Sequence, residues 1–340
     1  MTMDIVVVGA GSWGTALACV LCENQHRVTL WGRDSAQMAE LSAARENRRY
    51  LPGLRLPDGL QCSSDLLGSI RSLPQDQPSM TVAVVPTHTM RQVFTELAPA
   101  LPTQNIVVTA SKGIENDTLL TMDAVLSQVL PSSLHERIAV LSGPSFAKET
   151  IEKHPTAVVA AARQRAIAEA VQRAFQVGTF RVYTSDDVIG AEVGGAVKNV
   201  IAIACGIADG LGFGHNTRAA VITRGLAEIS RLGVRLGCNP LTLAGLAGMG
   251  DLVLTCNGPL SRNRQAGLLF AQGKDLAQVQ AEMKQVAEGI RTTRSVRDLS
   301  VKVGVEMPIS AAIYRVLYEN QPVGQVMSDL LGRPPRHELG

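Results

Sequence analysis

Aromatic residues fill only 4% of the 340 positions, and neither sign of charge is in excess: 32 Lys+Arg stand against 30 Asp+Glu, for a formal charge of +2. That balance removes the usual electrostatic reason to expect nucleic acid or an anionic membrane as the main partner. Cysteine is sparse as well. The six (Cys19, Cys22, Cys62, Cys205, Cys238 and Cys256) are scattered; only Cys19 and Cys22 have a CxxC spacing, and no second pair or nearby His completes a zinc site. They read as reduced core or loop thiols, and no metal is expected. Long uncharged runs are missing too. The longest, Ile5 to Cys22, is broken by three glycines, Ser12 and Thr15, and follows Asp4 where a signal peptide would carry Lys or Arg. No other segment comes close. Stable membrane insertion is therefore not expected, and the chain reads as cytoplasmic.

What is present is an ordinary globular composition, 46% apolar and 18% charged, with length for about two domains of about 150 residues. Up to residue 185, short β-branched runs alternate with helical stretches. The strands are expected at Asp4 to Val8, Arg27 to Trp31, Thr81 to Val85, Asn105 to Thr109, Arg137 to Leu141, Ala157 to Ala160 and Phe180 to Tyr183. Continuous apolar strands such as IVVV and VAVV suit a sheet buried on both faces, so the pattern predicts a mainly parallel, doubly wound α/β sheet. From Ile189 to Ser328 the periodicity is helical. Ala191 to Asp209 reads as one long buried helix, and 14 of the 31 glycines crowd between Gly190 and Gly258, which predicts close backbone contacts. The expected division is a Rossmann-like dinucleotide-binding domain over residues 1–186, an all-helical substrate domain over 187–333, and a frayed tail over 334–340, with fraying reaching back to Leu330.

The segment Asp4 to Gly14, DIVVVGAGSWG, is a strand followed by GxGxxG and the start of a helix. Gly9 permits the tight turn, Gly11 lets the backbone approach a pyrophosphate, and Gly14 lets the helix pack on the strand, with free N–H groups facing the phosphates. The second strand, VTLWGRD, carries Arg33 where an NAD site usually has Asp or Glu. A guanidinium there suits a 2′-phosphate, so NADP(H) is favoured; Asp34 follows directly and keeps NAD(H) possible.

Three strand ends carry distinctive loops: VVPTH, VTASKGIE with Lys112, and LSGPSFAKE with Gly143 and Ser145. These are the ends at which ligands of open α/β sheets bind. Lys112 is there either a solvated lysine or a ligand. In EVGGAVKNV, Lys198 interrupts an apolar helix; it is either a snorkelling side chain or a desolvated amine whose lowered pKa allows proton exchange near neutrality. GLAGMGDL carries Asp251. Beyond it, Ser261 is placed to cap a helix that begins with Arg262 and Asn263, an arrangement suited to phosphate, although an ordinary capped surface helix has the same pattern.

Taken together, GAGSWG, TASKGIE, LSGPSFAKE, EVGGAVKNV, GLAGMGDL and SRNR resemble the bacterial-type NAD(P)-dependent glycerol-3-phosphate dehydrogenases, from about Asp4 to Arg333. The resemblance implies a helical second domain like that of 6-phosphogluconate dehydrogenase. It implies reversible reduction of dihydroxyacetone phosphate to sn-glycerol 3-phosphate, a phospholipid precursor, and a homodimer. Carried over by motif, cofactor contacts fall on Ser12, Trp13, Arg33, Lys112, Ala147, Arg262, Val286 and Glu288. Substrate contacts fall on Lys112, Gly143, Ser145, Lys198, Asp251, Ser261, Arg262 and Asn263, with Lys198 as proton donor and acceptor. The competing readings are a 6-phosphogluconate or β-hydroxyacid-type dehydrogenase, whose substrate carries a carboxylate, and a dinucleotide sensor without turnover.

Overall fold

The computed structural model describes residues 2–283, 287–335 and 337–338. Eight strands, β1 (Asp4–Val8), β2 (Arg27–Trp31), β3 (Gln61–Ser63), β4 (Ser79–Ala83), β5 (Asn105–Thr109), β6 (Ile138–Ser142), β7 (Thr156–Ala162) and β8 (Phe180–Ser185), form one sheet. Its order is β3-β2-β1-β4-β5-β6-β7-β8. All neighbours are parallel except β6 and β7, which run antiparallel. The winding reverses between β1 and β4, the switch point at which such sheets open a crevice.

β4, β5 and β6 are buried along their whole length, as strands covered by helices on both faces require. One face is packed by Leu17, Leu21, Val171 and Phe175, the other by Ile70, Met90, Phe94 and Leu126. The sheet is mainly parallel, as expected. Two details differ. The fourth strand starts and ends two residues before Thr81 to Val85, so that Val84 and Val85 lead into the loop, and the edge strand β3 was not foreseen.

After Ser185 the described residues form helices and no strand. Asp187 caps the central helix, Val188–Gly210, by accepting from Gly190 N at 2.8 Å. By length and composition alone this helix could cross a membrane, contrary to the expectation that no segment but Ile5 to Cys22 comes near. It lies instead inside the protein, packed by the helices His215–Arg235, Asp251–Asn257, Arg262–Ala271 and Glu288–Val303. The crowded glycines serve those crossings. A Cβ at Gly206 would sit 2.0 Å from the Arg264 carbonyl oxygen, and one at Gly267 2.2 Å from that of Ile203. The final helix, Val323–Leu331, includes Leu330, so the tail begins later than Leu330.

Candidate active site

The Gly-rich turn has the geometry its sequence calls for. Gly9 has φ +125°, and a Cβ there would meet the Val84 carbonyl oxygen at 2.5 Å; one at Gly14 would lie 1.9 Å from the Gly9 oxygen. A Cβ at Gly11 would meet nothing within 4 Å, so the space beside it is open. No side chain caps the Ser12–Glu23 helix, which leaves its first N–H groups for an anion. Trp13 contributes backbone to this turn, while its ring packs 6.5 Å from Phe180 and its buried indole N–H has no partner among the described residues. Ala147 opens a short helix packed on the same Ser12–Glu23 helix.

At the end of β2, Arg33 is exposed, and no ion pair holds it among the described residues. Asp34 has other work: its carboxylate accepts from Gln37 N at 3.1 Å as the N-cap of the Ser35–Ala44 helix. An open helix start, a glycine with free space and an unengaged guanidinium fit a dinucleotide. A residue that sequence reasoning missed supports the turn. Asn47, 1% exposed, donates to the Ala10 carbonyl at 3.1 Å and to Thr15 Oγ1 at 2.8 Å.

The reaction end is a buried charge cluster. Lys112, just beyond β5, donates from Nζ to Gly143 O at 2.9 Å and to Asp251 Oδ2 at 2.7 Å. The other Asp251 oxygen accepts from Lys198 Nζ, which also donates to Thr255 Oγ1 at 2.8 Å. Asp251 is 1% exposed and Lys198 6%. Burial pulls the Lys198 amine down to about 8, with the Asp251 charge opposing the fall and Lys112 adding to it. Lys198 is thus the desolvated amine and not a snorkelling one.

Backbone geometry makes the cluster possible. A Cβ at Gly195 would stand 2.9 Å from Ser142 Oγ and 3.5 Å from the Lys112 stem; one at Gly194 would hit the Ala247 oxygen at 2.4 Å. Asp251 follows a π-helical turn, Leu246–Gly250, a distortion found often at functional sites. Gly143 has φ +139°, and its carbonyl also accepts from Ser145 Oγ at 3.1 Å. Thr255 was not anticipated; its signal is the i,i+4 spacing from Asp251.

The predicted helix start at Ser261 is present: Ser261 Oγ accepts from Arg264 N at 3.2 Å and begins Arg262–Ala271. Its three members differ in availability. Ser261 is spent on the cap. Asn263 is buried and tied on both sides, donating to Asn199 Oδ1 and accepting from Gly289 N, each at 2.9 Å. Arg262 alone is exposed, although Glu288 and Tyr50 stand near enough for their charges to act on it. Glu288 accepts from Thr87 Oγ1 at 2.9 Å, linking the helical half to the loop after β4, and burial pushes its carboxyl up. Val286, the remaining predicted cofactor contact, lies outside the described residues. All six cysteines are free thiols.

Comparison with known proteins gives the family. Residues 4–168 match the NAD-dependent glycerol-3-phosphate dehydrogenase N-terminus and residues 187–328 its C-terminus. The glycerol-3-phosphate dehydrogenase [NAD(P)+] of Geobacter metallireducens is 51% identical, with all of both chains covered. That of Anaeromyxobacter dehalogenans is also 51% identical, over 99% of this chain and 100% of its own. The crystal structure of glycerol-3-phosphate dehydrogenase from Coxiella burnetii superposes with a TM-score of 0.91 at 38% identity, over 98% of this chain and 99% of that one. The chain therefore belongs to the NAD-dependent glycerol-3-phosphate dehydrogenase family, NAD(P)-dependent oxidoreductases acting on a CH–OH group.

Proposed function

We propose that the cleft between residues 1–186 and 187–333 reversibly reduces dihydroxyacetone phosphate to sn-glycerol 3-phosphate, with NADP(H) preferred to NAD(H). The observation that carries this reading is the buried Lys112–Asp251–Lys198 cluster at the carboxyl ends of β5 and β6, on the same edge of the sheet as the Gly-rich turn. The preference for NADP(H) is supported by the exposed Arg33 beside an Asp34 committed to capping.

The nicotinamide, when bound, supplies or accepts the hydride. The protein's own residues do the rest. Arg262 and the N–H groups opening its helix hold the substrate phosphate, and that remote binding energy orients the carbonyl. Lys198 Nζ delivers a proton to the carbonyl oxygen during reduction and takes it back during oxidation; an amine titrating near 8 does both at physiological pH. Two lysines share one carboxylate, so the cluster keeps a positive charge that stabilises the oxygen as negative charge develops on it. Asp251 holds both amines in place, and Lys112 adds charge beside them.

The reading extends to a cytoplasmic homodimer whose product feeds glycerophospholipid synthesis. Balanced charge and the burial of the Val188–Gly210 helix support the cellular location. The experiment is oxidation of NADPH and of NADH with dihydroxyacetone phosphate as acceptor. A higher kcat/KM with NADPH is expected. Turnover with neither cofactor would overturn the substrate assignment, and a higher value with NADH would overturn only the cofactor preference.

A further inference from the structure

Six residues before Lys198 on the same helix, a second carboxyl group is buried that the reaction does not use. Glu192 is 6% exposed, and its Oε1 accepts from the backbone N–H of Asp123 at 2.9 Å. Asp123, itself 3% exposed, is the second residue of the Met122–Val129 helix, which packs against β6. Its own carboxylate is supplied by others: Thr121 Oγ1 donates to Oδ1 at 2.7 Å, and Arg163, just beyond β7, pairs with Oδ2. Glu192 Oε2 has no partner among the described residues, and no cation pairs with Glu192 there.

The side chains of Glu192 and Asp123 lie within hydrogen-bonding reach of each other. Two carboxylates facing each other in a buried site, with the Arg163 guanidinium paired to Asp123 alone, would leave an excess negative charge and an oxygen without a donor. A proton on Oε2 removes both faults at once. Of the other polar groups around Glu192, Thr121 also comes within hydrogen-bonding reach of its carboxyl group, but the single Thr121 hydroxyl proton goes to Asp123 Oδ1. Lys112 lines the same crevice, but its recorded hydrogen bonds go to Gly143 and Asp251; Ser142 Oγ is buried and unpartnered; Lys198 is turned to Asp251 and Thr255.

We propose that Glu192 stands in the folded protein as a neutral carboxylic acid that shares its proton with Asp123 and so fastens the Lys198 helix to the sheet half of the molecule. This rests on the assignment of Lys198 above only for its effect on turnover. Burial and the neighbouring Asp123 charge both push the Glu192 carboxyl well up, in keeping with the geometry. For Asp123, burial works against ionisation, but hydrogen bonds from Glu192 and Thr121 and the Arg163 charge prevail and hold it below the usual range.

The sign of the linkage gives the test. A carboxyl whose pKa is raised by folding lets the unfolded chain gain stability by ionising, so its contribution falls as pH rises from about 4.3 through the raised value. Glu192→Gln keeps the shape, accepts from the Asp123 N–H and donates to its carboxylate without titrating. The Tm of the Gln variant is expected to match the parent near pH 5 and to exceed it by a margin that widens toward pH 8, with kcat at pH 7 within about twofold. A constant offset in Tm between pH 5 and 8, or a Gln variant that loses more than tenfold in kcat at unchanged Tm, would overturn the proposal, because either means that the negative charge is what the fold or the site needs. Infrared spectroscopy of the unmodified protein is independent of the variant's folding: a buried protonated-carboxyl band at pH 8 is expected, and its absence would contradict the proposal whether or not Lys198 is the proton donor.

Discussion

Around the Gly-rich turn the chain leaves its polar groups open, whereas around Lys198 it engages nearly every one. Gly11 borders empty space, the helix behind it is uncapped and Arg33 stands without an ion pair among the described residues. One contiguous strand, turn and helix, residues 4–23, together with Arg33 just beyond the next strand, suffices to build that end. At the other end, Lys112, Lys198, Asp251 and Thr255 come from three separate segments, and each side chain is already bonded to another. A site for a large anionic cofactor can stay open because the ligand brings the missing partners. A site that moves one proton has to hold its charges dry and fixed beforehand, since water would restore the ordinary lysine pKa.

The difference can be broken deliberately, and the largest effect belongs to the closed end. Lys198→Ala is expected to lower kcat by about 10²–10⁴ while the dissociation constant for NADPH, read by fluorescence titration, stays unchanged. Nearly normal turnover would remove Lys198 from the chemistry. Asp251→Ala leaves the buried Lys198 ammonium and the half-buried Lys112 one without their carboxylate, for an expected loss of about 3–5 kcal/mol in denaturant unfolding. A loss below about 1 kcal/mol would mean that the lysines find water when Asp251 is gone.

At the open end the effects are smaller and confined to the cofactor. Arg33→Gln is expected to cut the NADPH-over-NADH ratio of kcat/KM by about tenfold to a hundredfold, the value of a charge-assisted hydrogen bond to phosphate, with KM for dihydroxyacetone phosphate untouched. An unchanged ratio would show that Arg33 is not the phosphate ligand. Trp13→Phe sharpens the distinction between backbone and side chain in the turn. The indole N–H has no partner among the described residues, so NADPH affinity should stay within about threefold, and a tenfold fall would give the ring a direct role.

The open end was also the legible one. GxGxxG is contiguous, and its three glycines do three different steric jobs that the sequence alone implies. Lys198 stood out as a charge inside an apolar helix, and Ser261 as the cap that opens SRNR. What stayed hidden was pairing across long separations. Asp251 reads as a substrate contact along the chain, and only the fold brings it between two lysines. Asn263 looks available for phosphate until Asn199 and Gly289 are seen to engage its amide. The strand β3 escaped notice because Gln61–Ser63 is three residues long, polar at Gln61 and Ser63, and at the sheet edge, too short for any period to register. Membrane-like hydropathy in Val188–Gly210 has the same origin as its glycines: a helix enclosed by other helices and by β6 and β7 needs apolar and small residues nearly all round, with Glu192, Lys198 and Asn199 as buried polar exceptions.

The claim that a dry, paired Lys198 carries the proton is tested most directly by the pH dependence of turnover in the two directions. Reduction needs the protonated amine and oxidation the neutral one. With the amine titrating at about 8, kcat for dihydroxyacetone phosphate reduction should fall as pH rises through that value, while kcat for glycerol 3-phosphate oxidation rises through it and levels off. Opposite limbs that meet within about one pH unit of 8 are the predicted result. Limbs running in the same direction, or flat profiles in both, would contradict the assignment.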